Sequence, residues 1–231
     1  MATPGGIAIS DSEKAEALAD SLEAQFQPVT GSSVPAVIAM VDVALESYHQ
    51  TPASEPKLTN PEEVREAIRG LKLGKAQGPN GIPNRALKHF PKTAVLLLVQ
   101  IFNAILCTHH LPPVWKHAGV ISILKPGKDP AQPSSYRPIC LLDTIGNMFQ
   151  KILLTRILYE VVERGLLRNE QFGFRPKHSK SLQLARLVEL ITRNFGERKL
   201  TGAVFLEVAK ALDTFWIEGL IYELTVLNFP S

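Results

Sequence analysis

The chain of 231 residues is 45% hydrophobic and 20% charged, the balance of a globular protein with one large core or two small ones. Two cysteines, Cys107 and Cys140, are too few for a disulfide framework, and the start MATPGGIAIS lacks the basic and apolar regions of a secretory signal. The expected setting is therefore intracellular, cytoplasm or nucleus, and not secreted. The formal charge of +3 hides an asymmetry: residues 1–70 carry 4 Lys/Arg against 11 Asp/Glu, residues 71–180 carry 16 against 5, and the remaining 51 carry 5 against 6. An acidic front and a basic middle point to a polyanionic partner for the middle. The plain alternative is a solvated basic surface.

Ser10 and Glu13 have capping-box spacing, and Ala15, Leu18, Leu22 and Phe26 follow at helical intervals, which predicts an amphipathic helix. Residues 27–59 are rich in Pro, Ser and Thr and read as a loose connection around one short helix. Asn60-Pro61-Glu62-Glu63 reads as a helix start, with Val64, Ile68 and Leu71 as its apolar stripe and Gly74 as its end. Gly78-Pro79-Asn80-Gly81-Ile82 reads as a tight turn.

The longest run without Asp, Glu, Lys or Arg lies between Lys92 and Lys116, and its apolar heart, Ala94 to Leu106, is interrupted by Gln100 and Asn103. It is too short to span a bilayer and predicts a buried helix, so no membrane contact is expected. Val120–Leu124 and Tyr136–Leu142 read as two strands of a hairpin with the basic loop Lys125–Pro130 at its tip. Thr144–Val162 is helical by pattern, Gln171–Lys180 is a basic loop, and Ser181–Phe195 is helical with Leu184, Leu187, Val188 and Ile191 on one face. Ala203–Val208 reads as a short apolar strand and Trp216–Leu227 as a last amphipathic helix. The mixture is α+β and helix-rich.

Four segments stand in a fixed order: GPNGI at 78–82, ILKPGKDP with SYRPICLL within 123–142, QFGFRPKHSKSLQL at 171–184, and GAVFLEVAKALDTFW at 202–216. In this order and at these separations they resemble the reverse transcriptases of jockey-like non-LTR retrotransposons, over residues 60–231. The resemblance implies part of a right-hand polymerase: residues 1–59 an acidic linker upstream, 60–200 the fingers, and 201–231 the first palm strand and following helix, with the palm incomplete. It implies an RNA template, a DNA primer and deoxynucleoside triphosphates as partners, and Mg2+ as the cofactor of the intact family enzyme. Lys125, Lys128 and Arg137 would approach the triphosphate or the template backbone, where the planar guanidinium suits phosphate. Arg175 and Lys177, beside Phe172 and Phe174, would meet single-stranded template, unless both rings pack into the core.

In that family the fourth segment reads F-L-D-V-A-K-A-F-D, and its first Asp binds metal together with a later Tyr-Ala-Asp-Asp. Glu207 holds that metal position here, and Asp213 follows as a second candidate catalytic carboxylate or, equally, as a helix cap. A carboxylate inside an apolar strand is costly to bury unless paired or metal-bound; the plain alternative for Glu207 is an edge-strand carboxylate facing water. Glu207 replaces Asp, Leu212 replaces the usual Phe, and Lys180 stands where Thr or a similar residue is usual after His178-Ser179. The added methylene of Glu moves the carboxylate by roughly 1 Å, a misplacement that can cost about 10²-fold in rate. No Tyr-x-Asp-Asp occurs in the 231 residues. The expectation is a polymerase fragment that does not bind Mg2+ productively by itself. The alternative is a catalytically dead remnant that binds RNA or DNA through its basic fingers. Gly78–Gly81 lacks the spacing and lysine of a phosphate loop, and Cys107, His109, His110 and His117 meet no zinc spacing.

Overall fold

The computed structural model describes residues 1–3, 6–27, 29, 31, 34–50, 55–208 and 215–229. It is helix-rich with two small two-stranded sheets, in keeping with α+β. Contacts divide the chain into two compact units, one of Met1–Thr155 with Lys210–Ser231 and one of Arg156–Ala209.

The first unit opens on a minimal antiparallel pair, β1 (Ala2–Thr3) and β2 (Gly6–Ile7). Helix α1 (Asp11–Gln25) starts on the predicted capping box: the Ser10 hydroxyl accepts the Glu13 N–H, and the Glu13 carboxylate accepts the Ile9 and Ser10 N–H groups. Its covered side carries Ala17, Leu18 and Leu22, while Ala15 and Phe26 are exposed and Asp11, Glu13, Glu16, Asp20 and Glu23 face solvent. Helix α2 (Pro35–Gln50) has 16 residues, longer than the Pro, Ser and Thr content around it suggests. Val41 and Leu45 anchor it, and it packs against α8 (Ile217–Val226), the predicted last helix.

Helix α3 (Pro61–Arg69) begins as expected, with the Asn60 side chain accepting the Glu62 and Glu63 N–H groups. It ends at Gly70, short of Gly74, because Leu71 turns away and only its side chain rejoins the core. Short α4 (Asn84–Lys88) and long α5 (Lys92–Thr108) follow.

The apolar heart of the run between Lys92 and Lys116 is helical, but only one face of α5 is buried, and Leu96 and Leu97 are 49% and 57% exposed. Val95, Leu98, Phe102 and Ile105 of α5 meet Val64 and Ile68 of α3, Leu87 of α4, and Met148, Phe149 and Ile152 of α6 (Thr144–Glu163). Phe102 sits at the centre, its ring 5.2 Å from Phe149 and 6.1 Å from Trp115. Gly146 lets Trp115 lie on the start of α6, since a Cβ there would stand 3.1 Å from the Trp115 side chain. Also on α5, Asn103 receives the Thr59 N–H at 2.7 Å and donates back to the Thr59 carbonyl at 3.1 Å, tying the approach to α3 onto α5. No described helix is long and apolar enough to cross a membrane.

The expected hairpin is present as β3 (Ala118–Leu124) and β4 (Tyr136–Leu142), antiparallel with Val120 opposite Cys140 and Ile123 opposite Arg137. In the second unit, α7 (Lys180–Gly196) is capped by Ser179, whose hydroxyl accepts the Leu182 N–H. Its predicted apolar face is only half covered at Leu187 and Ile191, and exposed at Leu184 and Val188.

One predicted element is absent. Residues 203–208 form no strand. A strand needs a ladder partner to satisfy its backbone, and no described strand pairs with this segment. Val204, Phe205 and Leu206 are each more than 80% exposed.

Candidate nucleic-acid interface

The hairpin is rooted by the GPNG turn. Asn80 shapes it, its side-chain oxygen accepting the Ile82 N–H at 3.0 Å, while the Gly81 N–H closes onto the Gly78 carbonyl at 3.0 Å. The Asn80 N–H then reaches the Asp143 carboxylate at 3.1 Å. Asp143 lies between β4 and α6 and is 2% exposed. Beside it, Thr144 donates to the Asn84 side-chain oxygen at 3.1 Å, and Asn84 donates to the Lys72 carbonyl at 2.7 Å. The first of the four sequence segments therefore carries a structural clamp rather than a ligand loop. Sequence reading missed Asp143, because nothing in the run LLDTIG marks that carboxylate as buried.

At the other end of the hairpin, the loop is closed by its own polar groups. The Lys125 N–H donates to the Ser135 carbonyl at 2.8 Å, and the Lys125 ammonium donates to the Ser134 carbonyl at 2.8 Å. Asp129 accepts the Ala131 N–H at 2.9 Å, and the Tyr136 hydroxyl donates to the Pro130 carbonyl at 3.1 Å. Gly127 supplies the left-handed backbone, φ 72°, that the tip requires. Lys125 thus holds the loop, which leaves its ammonium partly spent. The Lys128 and Arg137 side chains are exposed and have no hydrogen bond or ion pair with the described residues. Directly opposed residues share a face of the ladder, so Arg137 stands with Ile123, Ile121 and Ile139. All three isoleucines are exposed, and the face offers a guanidinium beside an apolar floor.

The second basic loop lies in the other unit. The Arg175 guanidinium donates to the Arg168 carbonyl at 3.1 Å and is half-buried, so it too braces its own loop. Phe172 is gripped: the His178 ring meets it edge-on at 5.0 Å, and the Arg186 guanidinium lies 5.9 Å from its centre. Arg186 also pairs with Glu170 at 3.2 Å. That carboxyl is held below its ordinary range by its own backbone N–H and then by Arg186. Phe174 and Lys177 are exposed. Sequence reading left the two phenylalanines with one fate. The structure separates them.

Glu207 is exposed within the irregular segment 201–208, so the cost of burying a carboxylate in an apolar strand does not arise. Asp213 lies outside the described residues. Among the described residues no three His, Cys, Asp or Glu side chains come together. Magnesium takes a near-octahedral set of oxygens, with one or two carboxylates beside water and substrate phosphates. A lone exposed Glu207 does not provide that frame, and the described residues do not fit the metal.

No protein-family profile matches the chain. Individual relatives do. The chain is 36% identical over 230 residues, 99% of its length, to the "Probable RNA-directed DNA polymerase from transposon BS" of Drosophila melanogaster. The chain belongs to the RNA-directed DNA polymerases of jockey-like non-LTR retrotransposons. It is also 33% identical over 98% of its length to the "RNA-directed DNA polymerase from mobile element jockey" of Drosophila funebris. A further relative, the "Probable RNA-directed DNA polymerase from transposon X-element" of Drosophila melanogaster, is 34% identical over 91% of the chain. The chain spans about a quarter of the length of these polymerases, 25%, 25% and 23% respectively.

Proposed function

We propose that this chain is the fingers and the beginning of the palm of a right-hand RNA-directed DNA polymerase, and that by itself it binds nucleic acid without extending it. The observation that carries this reading is the hairpin. In a chain aligned over nearly its whole length with such polymerases, the family's basic hairpin folds as a closed loop that leaves Lys128 and Arg137 exposed. Arg137 would take a template or triphosphate oxygen through its planar fork, and Lys128 would act as a point charge. Lys177 would add a phosphate contact from the second loop. RNA template, DNA primer and deoxynucleoside triphosphates are the partners this reading assigns. Glu207 takes the position of the first acidic residue by motif, with Asp213 after it.

Binding of a labelled RNA–DNA primer-template is expected to weaken steeply between low and physiological salt, because each phosphate contact releases counterions. Replacing both Lys128 and Arg137 by Ala should reduce the slope of log affinity against log salt by about 2. An unchanged slope would remove the hairpin from the interface.

The 231-residue chain is expected to give no primer extension with magnesium on an RNA template, and measured extension would overturn the binding-only reading. Glu207 favours a second reading, a remnant whose polymerase function is lost. Joining residues 1–231 to the remaining sequence of a jockey polymerase separates the two. If the chimera with Glu207 extends primer as fast as its Glu207→Asp variant, the enzyme reading stands. A deficit of about 10²-fold that Glu207→Asp repairs supports the remnant.

A further inference from the structure

We propose that Phe174 is a stacking platform for one unpaired base of single-stranded RNA, with Lys177 on the adjoining phosphate. The inference rests on the polymerase reading above and names the part of the template it recognises.

Two phenylalanines lie two residues apart in one loop and are treated oppositely. Phe172 is covered by His178 and Arg186. Phe174 is 94% exposed. Scattered surface apolar groups are ordinary, but this one is projected by a constrained backbone. Phe174 has φ 56° and Lys177 has φ 62°, a left-handed region that bulky side chains seldom occupy. Such residues persist where their surroundings over-determine them, and they gather at binding sites.

The surroundings here do so from both sides. The Gln171 amide donates to the Gly173 carbonyl at 3.1 Å, Arg175 donates to the Arg168 carbonyl at 3.1 Å, and the His178 ring nitrogen meets the Pro176 carbonyl at 2.9 Å. Ser179 then fixes the start of α7. The loop thus holds one ring down and presents the other.

The chemistry around the presented ring selects the partner. Residues 164–180 carry the exposed Arg164, Arg168, Lys177 and Lys180, and the half-buried Arg175, against Glu170 alone. A phenylalanine meant for an apolar protein surface would stand in an apolar patch. An aromatic face among exposed cations suits a base with its phosphate, because every base has a π-face and stacking tolerates any sequence.

Affinity for a single-stranded uridine oligomer, read by fluorescence anisotropy at fixed salt on the full 231-residue chain, tests this. Phe174→Ala should weaken binding about ten-fold. Phe174→Trp should keep or tighten it, with fluorescence quenching beyond that of the wild type. Phe174→Leu, apolar without a π-face, should behave like Ala. An oligomer with abasic sugars should bind the wild type and Phe174→Ala alike. Wild-type affinity in Phe174→Leu or Phe174→Ala would overturn the proposal and leave the hairpin reading standing. Absence of salt-sensitive RNA binding by the wild type would sink both. The side chain is solvent-exposed, so unfolding curves of the variants should overlay the wild type, which separates loss of binding from loss of fold.

Discussion

Replacing Phe102 by Ala is expected to destabilise the first unit by about 3–5 kcal/mol, the usual cost of emptying a buried phenylalanine site. Phe102 is fully buried, and its ring contacts both Trp115 and Phe149. Those two rings are themselves 6.4 Å apart, so the deletion opens a hole in a three-ring cluster that joins α5, α6 and the turn before β3. Collapse into that hole is limited. Trp115 already lies against Gly146, where a Cβ would come within 3.1 Å, and moving it would disturb the start of α6. Urea unfolding followed by tryptophan fluorescence checks this, since Trp115 lies in the cluster. A shift below about 1 kcal/mol would mean that the cluster closes freely and that the core is looser than its burial implies.

Replacing Gly78 by Ala is expected to cost about 3 kcal/mol, through steric overlap and a lost hydrogen bond to a buried carboxylate. An added Cβ would sit 2.6 Å from the Leu142 oxygen and 2.7 Å from both the Asp143 nitrogen and its Cα. All three are backbone atoms, which cannot swing aside as a side chain can. The turn must retreat, and the Asn80 N–H then leaves Asp143, whose carboxylate is 2% exposed. The same step loosens the root of the hairpin, so nucleic-acid binding should fall with stability. Gly81→Ala is the control. Its added Cβ meets nothing within 4 Å, although φ is 68°, so only the backbone strain of roughly 1 kcal/mol is expected. Equal losses at the two glycines would show that conformation, and not close approach, makes Gly78 necessary.

The elements that were legible in the sequence are those specified by neighbours in the chain. The caps at Ser10 and Asn60 formed as written because capping needs only residues three apart. The apolar run of α5 was long enough to be a buried helix and too short for a bilayer, and one face of it became the centre of the core. The hairpin followed from two apolar runs flanking a Pro- and Gly-rich turn. The segment 203–208 has the composition of a strand but forms none, because a strand's hydrogen bonds are supplied by another part of a chain and not by its own residues.

Among the candidate site residues, composition could mark cations but not say which were already engaged. Lys125 and Arg175 carry the same charge as Lys128, Arg137 and Lys177, yet both donate to carbonyls of their own loops. Glu207 was singled out by its motif, and its surroundings are solvent. Phe172 and Phe174 are indistinguishable by type, and in a loop backbone with two left-handed residues one is partly covered and the other exposed.

The sequence by itself determined the family, the α+β character and the places of the basic loops, since motif order, local caps and charge are written along the chain. Only the tertiary structure decided that the GPNG turn is a clamp on Asp143, which cations remain available, and which aromatic faces outward. Those outcomes depend on groups such as Asn80 and Asp143, 63 residues apart, whose meeting no local pattern records.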